Sequence, residues 1–146
     1  MASDLKSRLR SDLNDARRQR DKPRTLVLST MLSDVRNLEI EDGEEADDER
    51  VIRVLARGIK QRKDAAEQMR AAGREELAAT EDTQAEVLSA YLPEGMSDDE
   101  VRALVREAIE SGVDQMGPLM ASLMPKIRGR FDGKEANRIV REELSP

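Results

Sequence analysis

Tyr91 and Phe131 are the only aromatic residues in this chain of 146, so any core has to be assembled from Leu, Val, Ile, Met and Ala. Sheets draw on aromatic and β-branched side chains, whereas Leu, Met and Ala are strong helix formers. The palette therefore points to helices. A chain of this length buries roughly 70% of the surface its unfolded form exposes, enough for one domain or two small ones.

The apolar spacing agrees. Ser3 fits an N-cap, and Leu5, Leu9 and Leu13 recur every fourth residue, predicting a first helix to about residue 20. Pro23 suits the first turn of a second helix, where its missing N–H would be unpaired anyway. Leu28, Met31, Leu32, Val35 and Leu38 carry that helix forward, and the acidic run 39–48 around Gly43 reads as a loop. Asp47 starts a third helix with Val51, Ile52, Leu55 and Ile59 as its buried stripe. Gly58 lies within that stripe, where it weakens the helix but lets another element approach closely. Residues 60–70 are poor in apolar side chains and read as a solvated extension. Gly73 fits the left-handed position that ends a helix. A fourth helix follows to Tyr91, with Leu77, Ala78, Val87, Leu88 and Tyr91 expected to be buried.

Pro93 and Gly95 break the pattern, and Ser97 with Glu100 three residues on is a capping box opening a new helix. Val101, Leu104, Val105 and Ala108 share its apolar face, which ends near Gly112. Met116, Leu119, Met120, Leu123, Met124 and Ile127 predict a short helix that Pro125 ends or bends, its methionines fitting a pliable binding groove but more often serving as core filling. Asp132 with Glu135 resembles a second capping box, leading to Ile139, Val140 and Leu144. The expected architecture is all-α with two lobes: about four helices in residues 1–95 and about three in residues 96–146.

Missing residue types exclude much chemistry. With no Cys and no His, the chain has no disulfide, no zinc finger and no Ser-His or Cys-His pair. No run approaches the ~18 apolar residues of a membrane span, and the charged N-terminus is unlike a signal peptide. A cytoplasmic location without a membrane partner is expected. The acidic run 44–49 lacks the spacing of a calcium loop, and no phosphate-binding GxxxxGK[ST] or dinucleotide GxGxxG is present. We therefore expect no catalytic residue, no metal and no cofactor.

A formal net charge of −6 hides alternating acidic and basic blocks, which ordinary solvated helix faces also produce. The tail differs in kind, because Lys126, Arg128, Arg130, Lys134, Arg138 and Arg141 crowd around Gly129 and Gly133. Two glycines allow backbone N–H groups to turn toward one point beside a helix start at Asp132, an arrangement suited to phosphate. The same pattern also fits a tight turn with solvated cations. Lys134, Arg138 and Arg141 recur at about one helical turn and so line one helix face.

The phrases Lys60-Gln61-Arg62-Lys63-Asp64, Ala72-Gly73-Arg74-Glu75, Tyr91-Leu92-Pro93-Glu94, Leu123-Met124-Pro125-Lys126 and Gly129-Arg130-Phe131-Asp132-Gly133 occur in this order. Together they make the chain resemble the YqeY-like proteins, free-standing homologues of the C-terminal region of GatB, a subunit of the tRNA-dependent amidotransferase. The resemblance implies an all-helical appendage that contacts tRNA, with catalysis in a separate domain that nothing here resembles. It implies a non-catalytic tRNA-binding or tRNA-associated accessory, with no DNA ligand. Its RNA contacts would be Lys126, Arg128, Gly129, Arg130, Gly133, Lys134, Arg138 and Arg141, with Arg62, Lys63 and Arg74 as a second patch. Phe131 stands where the family pattern often has a small residue, a place from which an aromatic ring can stack on a base. Two alternatives stand beside this one. The first is a protein–protein interaction module that engages a basic partner, such as a protein of tRNA aminoacylation or translation, through acidic blocks and a Leu/Met-rich surface. The second is a subunit of a carbon–nitrogen ligase complex with glutamine as amido donor, inactive on its own.

Overall fold

A computed structural model describes residues 3–145. Among these residues there are seven α-helices and no strand. The chain divides into two compact units, Met1–Leu92 and Pro93–Pro146.

The first unit holds α1 (Asp4–Arg18), α2 (Lys22–Asp42), α3 (Asp48–Ala71) and α4 (Glu75–Ser89). Three of the four helices start on a side-chain cap: Ser3, Asp21 and Asp47 accept from the backbone N–H groups of Lys6, Arg24 and Arg50. Each such cap contributes about 1 kcal/mol. Leu9, Val27, Leu28, Met31, Val35, Val51, Leu55 and Leu88 are buried in one core. Tyr91 closes it, donating its hydroxyl hydrogen to Asp12 while the Arg8 guanidinium sits 4.7 Å from the ring centroid. Gly58 is buried where a Cβ would lie 2.6 Å from Sδ of Met31, so α2 and α3 approach as the lone glycine requires.

Three expectations change here. Residues 39–42 are not a loop: α2 runs through them to Asp42 and stops at Gly43, which is left-handed with φ 74°. The Glu39 carboxylate accepts from Lys6 Nζ at 2.7 Å and from the Ala46 N–H at 2.8 Å, anchoring the last turn to α1. Arg50 lies 2.7 Å from Glu44 and 3.8 Å from Asp42, offsetting carboxylates beside the negative helix end. Residues 60–70 are not a solvated extension either. They form a hairpin with α4, in which Ala66 and Ala78 are buried. Arg62 Nε donates to Gln84 Oε1 at 3.0 Å. Leu77, finally, is 48% exposed, because its neighbour Ala78 takes the inward position and one residue turns the helix by about 100°.

The second unit is a three-helix cluster of α5 (Asp98–Glu110), α6 (Met116–Ile127) and α7 (Gly133–Leu144). Val101, Val105, Leu119, Leu123, Ile127, Ile139 and Val140 form its core, and Met116, Met120 and Met124 pack half-buried against it. The Ser97 capping box is present in both directions. Pro125 does not end α6 at once, since the helix runs on to Ile127. Asp132 occupies the N-cap position of α7, but its side chain makes no cap hydrogen bond, so that end lacks the expected box. On the outer face Arg102 bonds both Glu142 and Glu143 at 2.8 Å, and Arg106 reaches Glu143 at 3.0 Å, lacing α5 to α7.

Candidate nucleic-acid interface

The basic tail is built on the reversal from α6 to α7. Lys126 is exposed in the last turn of α6, and Arg128 caps that helix in an extended conformation with φ −58° and ψ 126°. Gly129 then takes a left-handed φ of 75°, which a residue with a Cβ adopts only at a cost. The turn is fixed by the N–H groups of Arg130 and Phe131, both donating to the Ile127 carbonyl at 2.8 and 2.9 Å. Gly133 behaves differently: it is the first residue of α7, without a positive φ and with only Met124 near a notional Cβ at 3.8 Å. Of the two glycines expected to shape the turn, only Gly129 does so.

The cations have unequal surroundings. Lys126 and Lys134 are exposed and make no ion pair among the described residues. Arg130 is tethered, its Nε donating to the Glu94 carbonyl at 2.8 Å and its own carbonyl accepting from the Met96 N–H at 2.9 Å. On α7, Arg138 is surrounded by carboxylates: Glu135 at 2.9 Å, Glu142 at 2.6 Å and Asp98 at 3.6 Å. The hydrogen bond with Glu135, then that with Glu142, holds its guanidinium above the ordinary arginine value, and its charge is balanced locally. Arg141 is exposed on the same face with no side-chain ion pair among the described residues. Phe131 packs half-buried against the core of the unit, so its ring serves the fold rather than standing free for a base.

The second patch is not gathered. Arg62 is half-buried and turned inward, with Nη1 donating to the Gly58 carbonyl at 3.0 Å in addition to its bond with Gln84. Lys63 is exposed beside it, whereas Arg74 sits at the start of α4, beyond the end of α3. From Arg62 to the end of α3 is roughly 14 Å at ~1.5 Å rise per residue. Two open grooves also mark the first unit, about 360 Å³ between α2 and α3 and about 340 Å³ between α1 and α2. Among the described residues no group of acidic side chains is placed to hold a metal ion, and no helix is long and apolar enough to cross a membrane.

A family model described as Yqey-like protein matches residues 6–144. An uncharacterized protein of Schizosaccharomyces pombe is 36% identical over 93 residues, covering 64% of this chain and 76% of its own length. A Pyrenophora tritici-repentis protein, named altered inheritance of mitochondria protein 41, is 27% identical over 141 residues, 92% of this chain and 78% of its own length. With the family match reaching from the first helix to the end of the last, the chain belongs to the YqeY-like family.

Proposed function

We propose that this chain is a non-catalytic RNA-binding accessory with tRNA as its ligand, bound through the α6–α7 tail. One observation carries the reading: Lys126 in the last turn of α6 and Lys134 in the first turn of α7 are exposed and make no ion pair among the described residues, and the α7 cap side chain makes no bond. First-turn N–H groups of that kind, with cations beside them, favour a phosphate oxygen. Arg141 extends the positive face along α7. Asp132 opposes this with one negative charge, so the attraction comes from side-chain cations more than from the helix end. With Phe131 packed inward, recognition rests on phosphate and shape rather than on stacking. The cytoplasm remains the expected setting, although the Pyrenophora relative carries a mitochondrial name.

A gel shift with total tRNA across a salt series tests the proposal. Each cation removed from a phosphate should flatten the log–log salt slope by roughly 0.7 to 0.9. The double variant Lys126→Glu with Lys134→Glu should abolish tRNA binding while keeping its helical spectrum, because neither side chain holds the fold. Lys134→Ala should weaken binding more than Arg138→Ala, whose charge is already balanced. A double variant that binds like the parent at matched salt refutes the tail as the site and favours the protein–protein reading.

A further inference from the structure

The groove between α1 and α2 is lined by Arg10 and Arg36, both exposed. Lys6 near the start of α1 pairs with Glu39 near the end of α2, and Asp12 approaches Arg24 at 3.9 Å, so the two helices run antiparallel. Between these rungs Arg10 and Arg36 line the same groove of about 340 Å³ together with Ser29 and Ser33. Neither guanidinium makes an ion pair and neither hydroxyl makes a hydrogen bond among the described residues. The carboxylates nearby are already engaged: Glu39 by Lys6 and the Ala46 N–H, and Asp12 by Tyr91 and Arg24. Lys6 and Glu39 line the groove as well and offset each other, which leaves the groove with the positive charge of Arg10 and Arg36. Leu13 and Leu32 supply an apolar wall to the same groove.

We propose that this groove binds the phosphate monoester of a small organic molecule. Arg10 and Arg36 clamp the phosphate from either side, Ser29 and Ser33 donate hydroxyl hydrogens to it, and the organic part lies against Leu13 and Leu32. A monoester carries ≈ −1.5 to −2 charge at neutral pH, with a second ionisation near pH ≈ 6, which matches two guanidinium groups. A nucleic-acid phosphate is a diester with a single charge. The groove volume is at the lower end of the ≈ 300–1,000 Å³ of small-molecule sites. The site shares no residue with the tail, and each proposal fails independently of the other.

Phenyl phosphate is the probe, followed by amide chemical shifts of the whole chain and by calorimetry. Shifts should concentrate in residues 6–13 and 29–39, and affinity should rise between pH 5 and pH 7 as the ligand takes its second charge, about the pKa of ~6. Arg10→Ala and Arg36→Ala should each weaken binding about tenfold, as removal of one charge-assisted hydrogen bond does. Arg17→Ala, an equal charge change elsewhere on α1, should leave affinity unchanged. Dimethyl phosphate binding as tightly, arginine variants that keep the parent affinity, or absence of shifts in the groove would each overturn the proposal. So would tRNA held through Arg10 and Arg36 without phenyl phosphate binding, which would make the groove a nucleic-acid surface.

Discussion

A Cβ on Gly58 would sit 2.6 Å from Sδ of Met31 and 3.4 Å from Nη1 of Arg62. Ala at position 58 would gain about 1 kcal/mol of helix propensity. It would also overpack a contact in which Met31 is 1% exposed, at a cost of about 1–3 kcal/mol. The thioether is flexible and gives way in part. Gly58→Ala should therefore destabilise the first unit by about 1 kcal/mol, and Gly58→Leu by more. Denaturant midpoints at constant slope check this, and a more stable Gly58→Ala protein would show that Met31 repacks freely.

Acid should loosen the junction of α1 and α2. The hydrogen bond from Lys6, aided by that from the Ala46 N–H, holds the Glu39 carboxyl below the ordinary value of 4.5. A carboxyl with a depressed folded pKa contributes stability above its unfolded pKa and loses it as pH falls through the folded one. The contribution is present at neutral pH and fades below pH 4.5. Both side chains of the pair are well shielded, at 13% and 15% exposure, so the effect should be on the order of 1 kcal/mol. Glu39→Gln should show that loss at neutral pH and a weaker dependence on acid. Urea midpoints at several pH values on both proteins measure it.

Tyr91, the only tyrosine in a chain without tryptophan, offers a direct optical titration. Burial, then the hydrogen bond to Asp12 and the charge of Asp12, pushes its phenol up to about 12, against the opposing influence of Arg24. A raised folded pKa means that the contribution to stability is complete below the unfolded value of 10 and is lost as pH climbs from there toward about 12. Asp12→Ala should bring the titration midpoint down toward its ordinary value. An unchanged midpoint in that variant would assign the whole shift to burial.

The two helix starts of the second unit should respond unequally to alanine. Ser97 accepts from the Glu100 N–H at 3.2 Å, and the Glu100 carboxylate accepts from the Ser97 N–H at 3.4 Å. Ser97→Ala should cost about 1 kcal/mol, read as faster hydrogen exchange in α5. Asp132→Ala removes no cap bond and should cost only ~0.3–1 kcal/mol, from the charge removed at the helix end. It should also strengthen tRNA binding, since it removes the carboxylate at the α7 N-cap.

Among the candidate site residues, Lys126, Lys134 and Arg141 make no side-chain ion pair among the described residues. Lys126, Lys134 and Arg141 are exposed where sequence position alone places them. Arg138 belongs with them by its helical spacing, but its charge is balanced by Asp98 beside α5 as well as by neighbours on its own helix. Arg62 falls in a basic phrase, yet Gln84, far along the chain on α4, turns it inward. The groove of Arg10 and Arg36 had only a faint signal, the spacing of Ser29, Ser33 and Arg36 on one face of α2. Nothing in that spacing says which residues of α1 stand opposite.

By itself the sequence determined the helical class and most helix ends. A dearth of aromatic side chains starves a sheet core. Ser3, Asp47 and Ser97 cap their helices through atoms within a few residues of themselves, and Gly73 and Gly129 take the left-handed turns that only a missing Cβ makes easy. Only the tertiary structure decided that residues 39–42 are helical, that residues 60–70 pair with α4, and which cations keep their charge free. Those outcomes depend on partners tens of residues away, Lys6 for Glu39 and Gln84 for Arg62. A local pattern sets what each turn of backbone can do, whereas the pairing of side chains across helices is set by how the buried stripes dock.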